Sequence, residues 1–347
     1  MSPTMKDVAK AAGVSQPAVS AVLNNRGSCR VSEETRGRIL RIADELDYHP
    51  NQAARLLKGK KSNTVAVFTG RSISALQNEA LNRINCLLRE HKLECFTVPA
   101  RDNRDLRERY LDLLARNIDA LLCFFIDFDF DRSMFRIPQV HVGVEVRNAP
   151  DITEELRSGS AFLTSHLLGH GHRSFAFLTD RLCSNATKFA GVQEALAESG
   201  EKTSLRLLEF FRNPSVVGEI LDSARSGVTA FICTNDYIAA RLSRLLQDHG
   251  IRVPEDAAVT GFDGMAFTEY TTPTITTMRA DPAEIAEAAV DLLLARMKDP
   301  DLPASIRMPV HFHCGESCGC KVRPDDTFFS ETMPAVIRPP EKKESAS

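Results

Sequence analysis

Residues 1–25 read MSPTMKDVAKAAGVSQPAVSAVLNN and decide the fold of the amino-terminal region. Thr4 is placed to cap a first helix with Asp7 three residues later, and Gly13 is placed to end that helix. Ser15 follows as the N-cap of a second helix, in which Pro17 is tolerated because a first-turn N–H needs no intrahelical partner. The sequence therefore predicts two helices joined by a tight turn.

The second helix is predicted to have one apolar side and one polar side. At 100° per residue, Ala18, Val19 and Val22 fall together on one side. The residues on the other side are Gln16, Pro17, Ser20, Ala21 and Asn24. We expect the apolar side to face a small core and the polar side to face outward.

A third helix is indicated by a cap at Ser32, with Glu33 and Glu34 in its first turn. Its apolar positions repeat at i, i+3, i+4 and i+7, at Ile39, Ile42, Ala43 and Leu46. Three such helices form the helix-turn-helix arrangement, whose second helix enters the major groove of DNA. A small helical bundle for protein contact would show the same periodicity, so that alternative stays open here.

Charge is distributed unevenly along the chain. Of its 43 Lys and Arg and 46 Asp and Glu, residues 1–62 hold 11 and 6, which leaves 32 and 40 for the rest. The basic end is a candidate surface for binding a polyanion, although a solvated helical region would have the same balance.

Length and composition restrict the class of protein. The 347 residues suggest two or three domains, and 43% hydrophobic residues exclude a largely disordered chain. We find no run of about 20 apolar residues and no signal peptide, so a cytoplasmic protein without a membrane partner is expected. The nine Cys are an odd number and mostly scattered, which is typical of reduced thiols.

The string KDVAKAAGVSQPAVSAVLNN, with RVSEETRGRIL and ADELDYHPNQAARLLKGKKS, resembles the amino-terminal module of the LacI family of bacterial transcriptional regulators over residues 5–62. The resemblance implies that Gln16, Pro17 and Ala21 occupy the positions that read base edges. The full set of DNA-binding residues that it implies is Ser15, Gln16, Pro17, Ser20, Ala21, Asn24, Asn51, Ala54, Leu57 and Lys58.

This sequence departs from the family pattern at its reading positions. Gln16 can pair with adenine through two hydrogen bonds, whereas Pro17 and Ala21 offer only apolar contact. We therefore expect fewer direct hydrogen bonds to bases than the family usually makes. The loop between Asn24 and Val31 is about two residues longer than in well-known members, and Asp47 stands where Gly is common.

Residues 51–59, NQAARLLKG, have the pattern of a short hinge helix. A helix of fewer than about 12 residues is marginal in water, so it needs a packing partner. The resemblance implies that this partner is the second subunit's copy together with the DNA minor groove, with Leu57 wedged between central base pairs. Interdomain packing is the alternative role for Leu57. The basic run at Lys58, Lys60 and Lys61 is expected to meet phosphate, and a homodimer on a pseudo-palindromic operator is expected.

From Thr64 onward, β-rich apolar runs alternate with helical stretches. The runs are TVAVFTG, LECFTVP, DALLCFFI, PQVHVGV, FAFLTD, AFICTND and AAVTGFD. Such alternation predicts parallel sheets with helices on both faces, here as two lobes with a ligand cleft between them. The predicted organisation is a helix-turn-helix domain at 1–49, a hinge helix and linker at 50–62, a two-lobed α/β body at 63–320 and an extended or disordered tail at 321–347.

Residues 156–318 also resemble the LacI family, whose body is similar to a type I periplasmic binding protein. The resemblance implies effector contacts from Asn235, Asp236 and Asp263, and from Lys188 in place of the usual Arg, which weakens bidentate recognition. Each could instead be a cap or turn residue. Between residues 65 and 155 the resemblance is weak, and Arg71 and Ser72 are included only because they follow the first strand.

The composition says little about the effector. Sugar sites often use the face of a Trp or Tyr, but the chain has no Trp and four Tyr, so Phe125 or Phe267 would have to serve. A sugar or related metabolite is the expected ligand class, and no cofactor is predicted.

The segment HFHCGESCGC contains His311, His313, Cys314, Cys318 and Cys320, all of which are residue types that bind zinc. Their spacing fits no standard zinc motif. The resemblance covers this segment as a last strand and an ESC-like end, so a plain strand without metal is favoured.

Together these features predict a DNA-binding transcriptional regulator, a repressor under allosteric control by a small molecule. One alternative keeps DNA binding but has lost or remodelled the effector site. A solute-binding protein is less favoured because no export signal is present. We find no nucleophile elbow, phosphate loop or HExxH string, so an enzyme is not expected.

Overall fold

The computed structural model describes residues 3–23, 31–48, 61–71, 74–144, 150–210, 213 and 215–321, without the side chains of residues 183 and 184. The chain divides into two compact units, residues 1–62 and 63–347, which we call the head and the body. The predicted fold class is confirmed: a helical head is followed by an α/β body with parallel sheets.

The head contains helices α1 (Met5–Ala12), α2 (Gln16–Leu23) and α3 (Glu33–Glu45). Thr4 and Asp7 form a capping box, and Gly13 ends α1 in the left-handed conformation at φ 65°. Ser32 caps α3 by accepting a hydrogen bond from the backbone N–H of Thr35. The caps that the sequence predicts for α1 and α3 are therefore confirmed.

The three helices share one core, as their apolar spacing predicts. Its buried residues are Val8, Ala9, Ala12, Val19, Val22, Ile39, Ala43 and Tyr48. Leu46 differs from the pattern, because 37% of it is exposed. Asp47 has a φ of 49°, which explains why glycine suits this position and why Asp, which tolerates this region better than most side chains, can replace it.

The first lobe of the body is built on a six-stranded parallel sheet. Its order is β11-β5-β4-β3-β1-β2. The strands are β1 (Thr64–Thr69), β2 (Glu94–Pro99), β3 (Ala120–Phe124), β4 (Gln139–Val142), β5 (Ile152–Glu154) and β11 (Ile306–Met308). The helices are α4 (Ala75–Glu90), α5 (Asn103–Ala115) and α10 (Pro282–Arg296), and a 3-10 turn covers Arg132–Met134.

The second lobe has a four-stranded parallel sheet in the order β7-β6-β8-β9. Its strands are β6 (Ser174–Thr179), β7 (Ser204–Glu209), β8 (Ala230–Cys233) and β9 (Ala258–Thr260). The helices are α6 (Leu156–Gly169), α7 (Leu182–Glu198), α8 (Val216–Arg225) and α9 (Asp236–Asp248). Beside this sheet, β10 (Thr277–Ala280) and β12 (Val310–His313) form an antiparallel pair, and 3-10 turns cover Ala266–Tyr270 and Glu316–Cys318.

The chain passes between the lobes three times, after β5, after β10 and after β11. On its return to the first lobe, α10 packs Ala289 and Leu293 into the core that also holds Ile84 and Leu88 of α4. Arg296 of α10 then pairs with buried Asp151 through two hydrogen bonds of 2.7 and 2.9 Å. A charge buried this deeply is tolerated because the partner is bidentate and fully hydrogen-bonded.

All seven apolar runs named from the sequence are strands in the structure. The sequence did not identify β5, β7, β10 and β11, each of which contains a charged residue and lies outside the apolar runs. None of the described helices is both long and apolar enough to cross a membrane.

Candidate DNA-binding surface and ligand site

The polar side of α2 lies on the surface of the head. Ser15, Gln16 and Pro17 are exposed and Ser20 and Ala21 are partly exposed, whereas the opposite side of the helix is buried. The backbone N–H of Ala18 donates to the Ser15 hydroxyl at 3.4 Å, which fixes the start of the helix. The surface offered to a partner is short and contains one long hydrogen-bonding side chain, Gln16.

Five of the predicted DNA-binding residues fall outside the residues that the structure describes. They are Asn24, Asn51, Ala54, Leu57 and Lys58. The predicted hinge helix and the wedge role of Leu57 therefore stay predictions from the sequence.

Lys188 of α7 is the centre of a polar cluster in the second lobe. Its side chain is 9% exposed, and its ammonium group donates to the backbone carbonyl of Thr234 at 2.7 Å. The same group lies 3.5 Å from a carboxylate oxygen of Asp263 and 3.9 Å from the ring centroid of Phe262. These contacts replace the water that a buried ammonium group loses.

Two carboxyl groups interact electrostatically with this lysine. Burial raises the pKa of Asp263, and the nearby Lys188 opposes that rise. Burial also raises the pKa of Glu154, at the end of β5, to about 7, with a further upward contribution from the charge of Asp263 and a downward one from Lys188. Because β5 belongs to the first lobe and α7 to the second, these groups, which we call the Lys188 cluster, come from both lobes.

Asp263 has an unusual backbone conformation, with a φ of 101°. Its backbone N–H donates to the carbonyl of Met278, the following Gly264 also has a positive φ, and a Cβ at Gly264 would collide with Arg279. A non-glycine residue in this region is costly and persists only when its surroundings impose it. The strained turn presents the Asp263 carboxylate, whose side chain is 28% exposed, to Lys188.

Asp236 and Asn235 make hydrogen bonds that hold the fold together. Fully buried Asp236 accepts from the backbone N–H of Met265 at 2.7 Å and from the Thr277 hydroxyl at 2.6 Å. Asn235 caps α9 by accepting from the N–H of Ile238 at 2.9 Å. Burial raises the pKa of Asp236 to about 7. Both carboxylate oxygens of Asp236 thus have partners, as the cap or turn alternative predicts.

The other residues suggested for the ligand site do not join the cluster through any contact that the described residues show. Arg71 forms an ion pair with Asp127 at 3.6 Å and is 67% exposed, while Ser72 lies outside the described residues. Phe125 is buried against Phe124, and Phe267 packs against Tyr237 with ring centroids 4.9 Å apart. The aromatic ring that contacts the cluster is instead Phe262.

Both parts of the chain match known families. Residues 4–51 match the family described as bacterial regulatory proteins, lacI family, and residues 164–318 match the periplasmic binding protein-like domain. The transcriptional regulator GalR of Escherichia coli is 31% identical over 329 residues, which cover 86% of this chain and 91% of that protein. The chain belongs to the LacI family. The ribose operon repressor of Haemophilus influenzae is 29% identical, over 86% of this chain and 93% of that protein.

Solved structures agree with the LacI-family fold. The Lac repressor dimer bound to operator and the anti-inducer ONPF superposes with a TM-score of 0.77 and 22% identity, over 92% of this chain and 99% of that one. The relatives of this LacI-family chain are transcriptional regulators, so the prediction that it is a regulator and not an enzyme is confirmed.

Sequence reasoning missed Glu154, the member of the Lys188 cluster that the first lobe contributes. A signal was present, because Glu154 is the polar residue at the carboxyl end of a strand, where ligands of α/β sheets bind. The strand itself has only three residues, Ile152–Glu154, and was not recognised.

Proposed function

We propose that this regulator is a repressor that binds a pseudo-palindromic operator as a homodimer, and that a small molecule bound at the Lys188 cluster changes its affinity for DNA. The observation that carries DNA binding is the surface of α2, where Gln16 is exposed while Val19 and Val22 of the same helix are buried. A helix held in this way can enter a major groove without losing its core contacts.

The Lys188 cluster supports control by a ligand because its charged groups come from both lobes. Glu154 comes from the first lobe and Lys188 and Asp263 from the second, so a molecule that bonds to both sides favours one arrangement of the lobes. A ligand acts on DNA affinity only through its different affinities for the two states. The connection to DNA is the hinge segment that the sequence predicts at residues 50–62.

The charges of the cluster favour a particular ligand chemistry. The Asp263 carboxylate offers hydrogen-bond acceptors, the Lys188 ammonium group offers donors, and Glu154, with a pKa of about 7, can offer either. The hydroxyl of Thr234, whose carbonyl accepts from Lys188, is buried and makes no hydrogen bond to any described residue. A neutral molecule rich in hydroxyl groups, each of which both donates and accepts, fits these groups, and the single ammonium group is already paired with Asp263, which leaves an anion no free cationic partner in the cluster. The name of the ribose operon repressor agrees with a sugar ligand.

Thermal shift measurements on the purified chain test this assignment. The panel contains neutral sugars, sugar phosphates and purine bases, each at concentrations up to the millimolar range. A ligand at 100 times its Kd adds about 2.7 kcal/mol to the free energy of unfolding, which raises the melting temperature measurably. We expect a neutral sugar to do so and sugar phosphates to have no effect; a shift with phosphates alone would contradict the proposed ligand class.

A second candidate is a LacI-family DNA binder without an effector. It is favoured by the first lobe, where Arg71 pairs with Asp127 and the family's usual residues after the first strand are not recognisable. This candidate predicts the same DNA binding, no thermal shift with any member of the panel and no change of operator affinity with added metabolites.

A further inference from the structure

Two histidines and two cysteines, far apart in the sequence, meet at the end of the second lobe. They are His166 and His170, at the end of α6, and Cys318 and Cys320, which follow β12. One nitrogen or sulfur atom from each of the four lies within 4.8 Å of the corresponding atom of every other. Among the described residues this is the group of His, Cys, Asp and Glu side chains that could hold a metal ion. None of its four residues belongs to the proposed DNA-binding surface or to the Lys188 cluster.

The distances within the group match those around a single zinc ion. Nε2 of His166 lies 3.3 Å from Sγ of Cys318 and 3.6 Å from Sγ of Cys320, and Nε2 of His170 lies 3.4 Å from Sγ of Cys320. With Zn–S bonds of about 2.3 Å and Zn–N bonds of about 2.0 Å, tetrahedral angles place nitrogen and sulfur ligands about 3.5 Å apart. All three measured separations are within about 0.2 Å of that value.

The histidines share one side of the helix end because they are four residues apart. The ring of His166 packs against Phe312 of β12, with centroids 4.7 Å apart, and its centroid is 4.6 Å from that of His170. Phe312 thus limits the orientations that the His166 ring can take, so at least one ligand is held in place by packing.

The cysteines are positioned by hydrogen bonds that do not involve the histidines. The Ser317 hydroxyl donates to the carbonyl of Val259 at 2.5 Å and accepts from the N–H of Thr276 at 3.0 Å. Cys318 is buried next to this anchor, and Gly319 at φ 93° turns the chain so that Cys320 also reaches the histidines. Because these contacts fix the segment, a metal ion would meet ligands that are already close together.

We propose that His166, His170, Cys318 and Cys320 bind a zinc-class cation that fastens the end of the body to α6. Two imidazoles and two thiolates are a standard ligand set for a structural zinc site, and the site is closed because the protein supplies all four ligands. Binding deprotonates the thiols, so protons are released as the metal enters. The segment HFHCGESCGC supplies only half of the ligands, which explains why its own spacing fits no zinc motif.

The first test measures metal in the full-length chain. Protein purified in a thiol-free reductant is loaded with zinc, passed through a desalting column and analysed by plasma mass spectrometry; cobalt loading gives a second readout. We expect one zinc per chain, and for cobalt the visible bands of a tetrahedral ion with sulfur-to-cobalt charge transfer. Substoichiometric zinc in a folded protein, or a cobalt spectrum without sulfur bands, would overturn the proposal.

Variants then identify the ligands. His170→Ala and Cys320→Ser change partly or fully exposed residues and are expected to fold, which circular dichroism checks. Each should lose more affinity than the roughly 10- to 100-fold that loss of a supporting residue costs. His311→Ala and Cys86→Ser alter an exposed histidine and an exposed cysteine elsewhere, and should keep the metal. Equal affinity in all four variants would overturn the ligand assignment.

Cys314 provides the most demanding test because it lies in the same segment, is exposed and has a thiol that interacts with those of Cys318 and Cys320. Cys314→Ser should retain one zinc per chain, and loss of zinc there with retention in His170→Ala would overturn the assigned set. For the unsubstituted protein, a chelator should lower the melting temperature, and re-added zinc should restore it. If the chelator removes the zinc and the melting temperature does not change, the metal does not fasten the segment.

Discussion

The ammonium group of Lys188 lies 3.5 Å from the carboxylate of Asp263, and the backbone of Asp263 is held at a φ of 101°. The pair is almost enclosed, because the lysine side chain is 9% exposed and that of the aspartate 28%. In most members of the LacI family, as the resemblance implies, an Arg would take the place of Lys188. An Arg could donate two hydrogen bonds to the Asp263 carboxylate, whereas the ammonium group of Lys188 contacts one of its oxygens. The other oxygen can then accept a hydrogen bond from a ligand.

Asp263→Asn is predicted to abolish the response to effector while operator binding is retained. Asn keeps the shape of the side chain and tolerates a positive φ, which Ala would not, so the substitution removes charge with little effect on the fold. Fluorescence anisotropy with labelled operator, with and without the sugar that gives a thermal shift, measures the response. Asp112→Asn, at an exposed position of α5, is the matched control. A normal response in Asp263→Asn would remove this residue from the site.

Lys188→Met is predicted to lower the free energy of unfolding by about 2 kcal/mol, because it leaves Asp263 and the Thr234 carbonyl without their cationic partner. Lys188→Arg restores the charge and should recover part of the loss. Urea denaturation compares the three proteins. If the Lys188→Met variant had the same free energy of unfolding as the unsubstituted protein, the contacts of the ammonium group would contribute nothing to the stability of the folded state.

Glu154→Gln is predicted to change the dependence of stability on pH. The pKa of Glu154 is raised to about 7 in the folded protein from an ordinary value of 4.5, so folding favours its protonated form. The contribution of Glu154 to the free energy of unfolding is fully present below about pH 4.5 and is lost as the pH rises through about 7. The variant should therefore equal the unsubstituted protein at low pH and exceed it by up to about 3 kcal/mol at pH 8.

Chemical denaturation across this pH range measures that difference. Asp236, whose pKa is also raised to about 7, contributes the same trend to both proteins and cancels in the comparison. Glu90→Gln, at an exposed position of α4, is the control. A constant difference between the two curves at all pH values would contradict a buried, protonated Glu154.

Leu57→Ala is predicted to weaken binding to operator while binding to random duplex stays nearly unchanged. A side chain wedged between base pairs stabilises the complex only where the central base pairs can be unstacked. Its loss therefore affects the complex with operator, whereas phosphate contacts stabilise the complexes with operator and with random duplex alike. Titrations of operator and random duplex at one salt concentration separate the two. Equal loss on both sequences would assign Leu57 to packing between domains.

The fold could be predicted largely because its signals are local. The capping box at Thr4 and Asp7, the turn at Gly13 and the buried pattern of Val19 and Val22 each depend on residues within a few positions of one another. Most strands of the body were recognised for the same reason, because each lies in an apolar run. β5 and β7 were missed because charged residues, Glu154 in the first and Arg206 and Glu209 in the second, interrupt their apolar patterns.

The sites were harder to predict because they depend on contacts distant in sequence. Glu154, Lys188 and Asp263 come from two lobes, and His166 meets Cys318 across 152 residues. The sequence marked Cys318 and Cys320 as residue types that bind zinc, together with their neighbours His311 and His313, but favoured a strand without metal; the structure places His166 and His170 next to the two cysteines. Nothing in the spacing of residues on β12 indicates which helix end will lie next to them.

Recognition of bases by Gln16 is the interaction on which specific operator binding depends. The full-length protein is incubated with genomic fragments at moderate salt, the retained fragments are sequenced, and the affinity for the recovered site is compared with that of Gln16→Ala. We predict a pseudo-palindromic site bound far more tightly than random duplex, and a loss of about 1–3 kcal/mol of discrimination per half-site in the variant. Retention of no preferred sequence, with or without the sugars of the panel, would contradict the central claim.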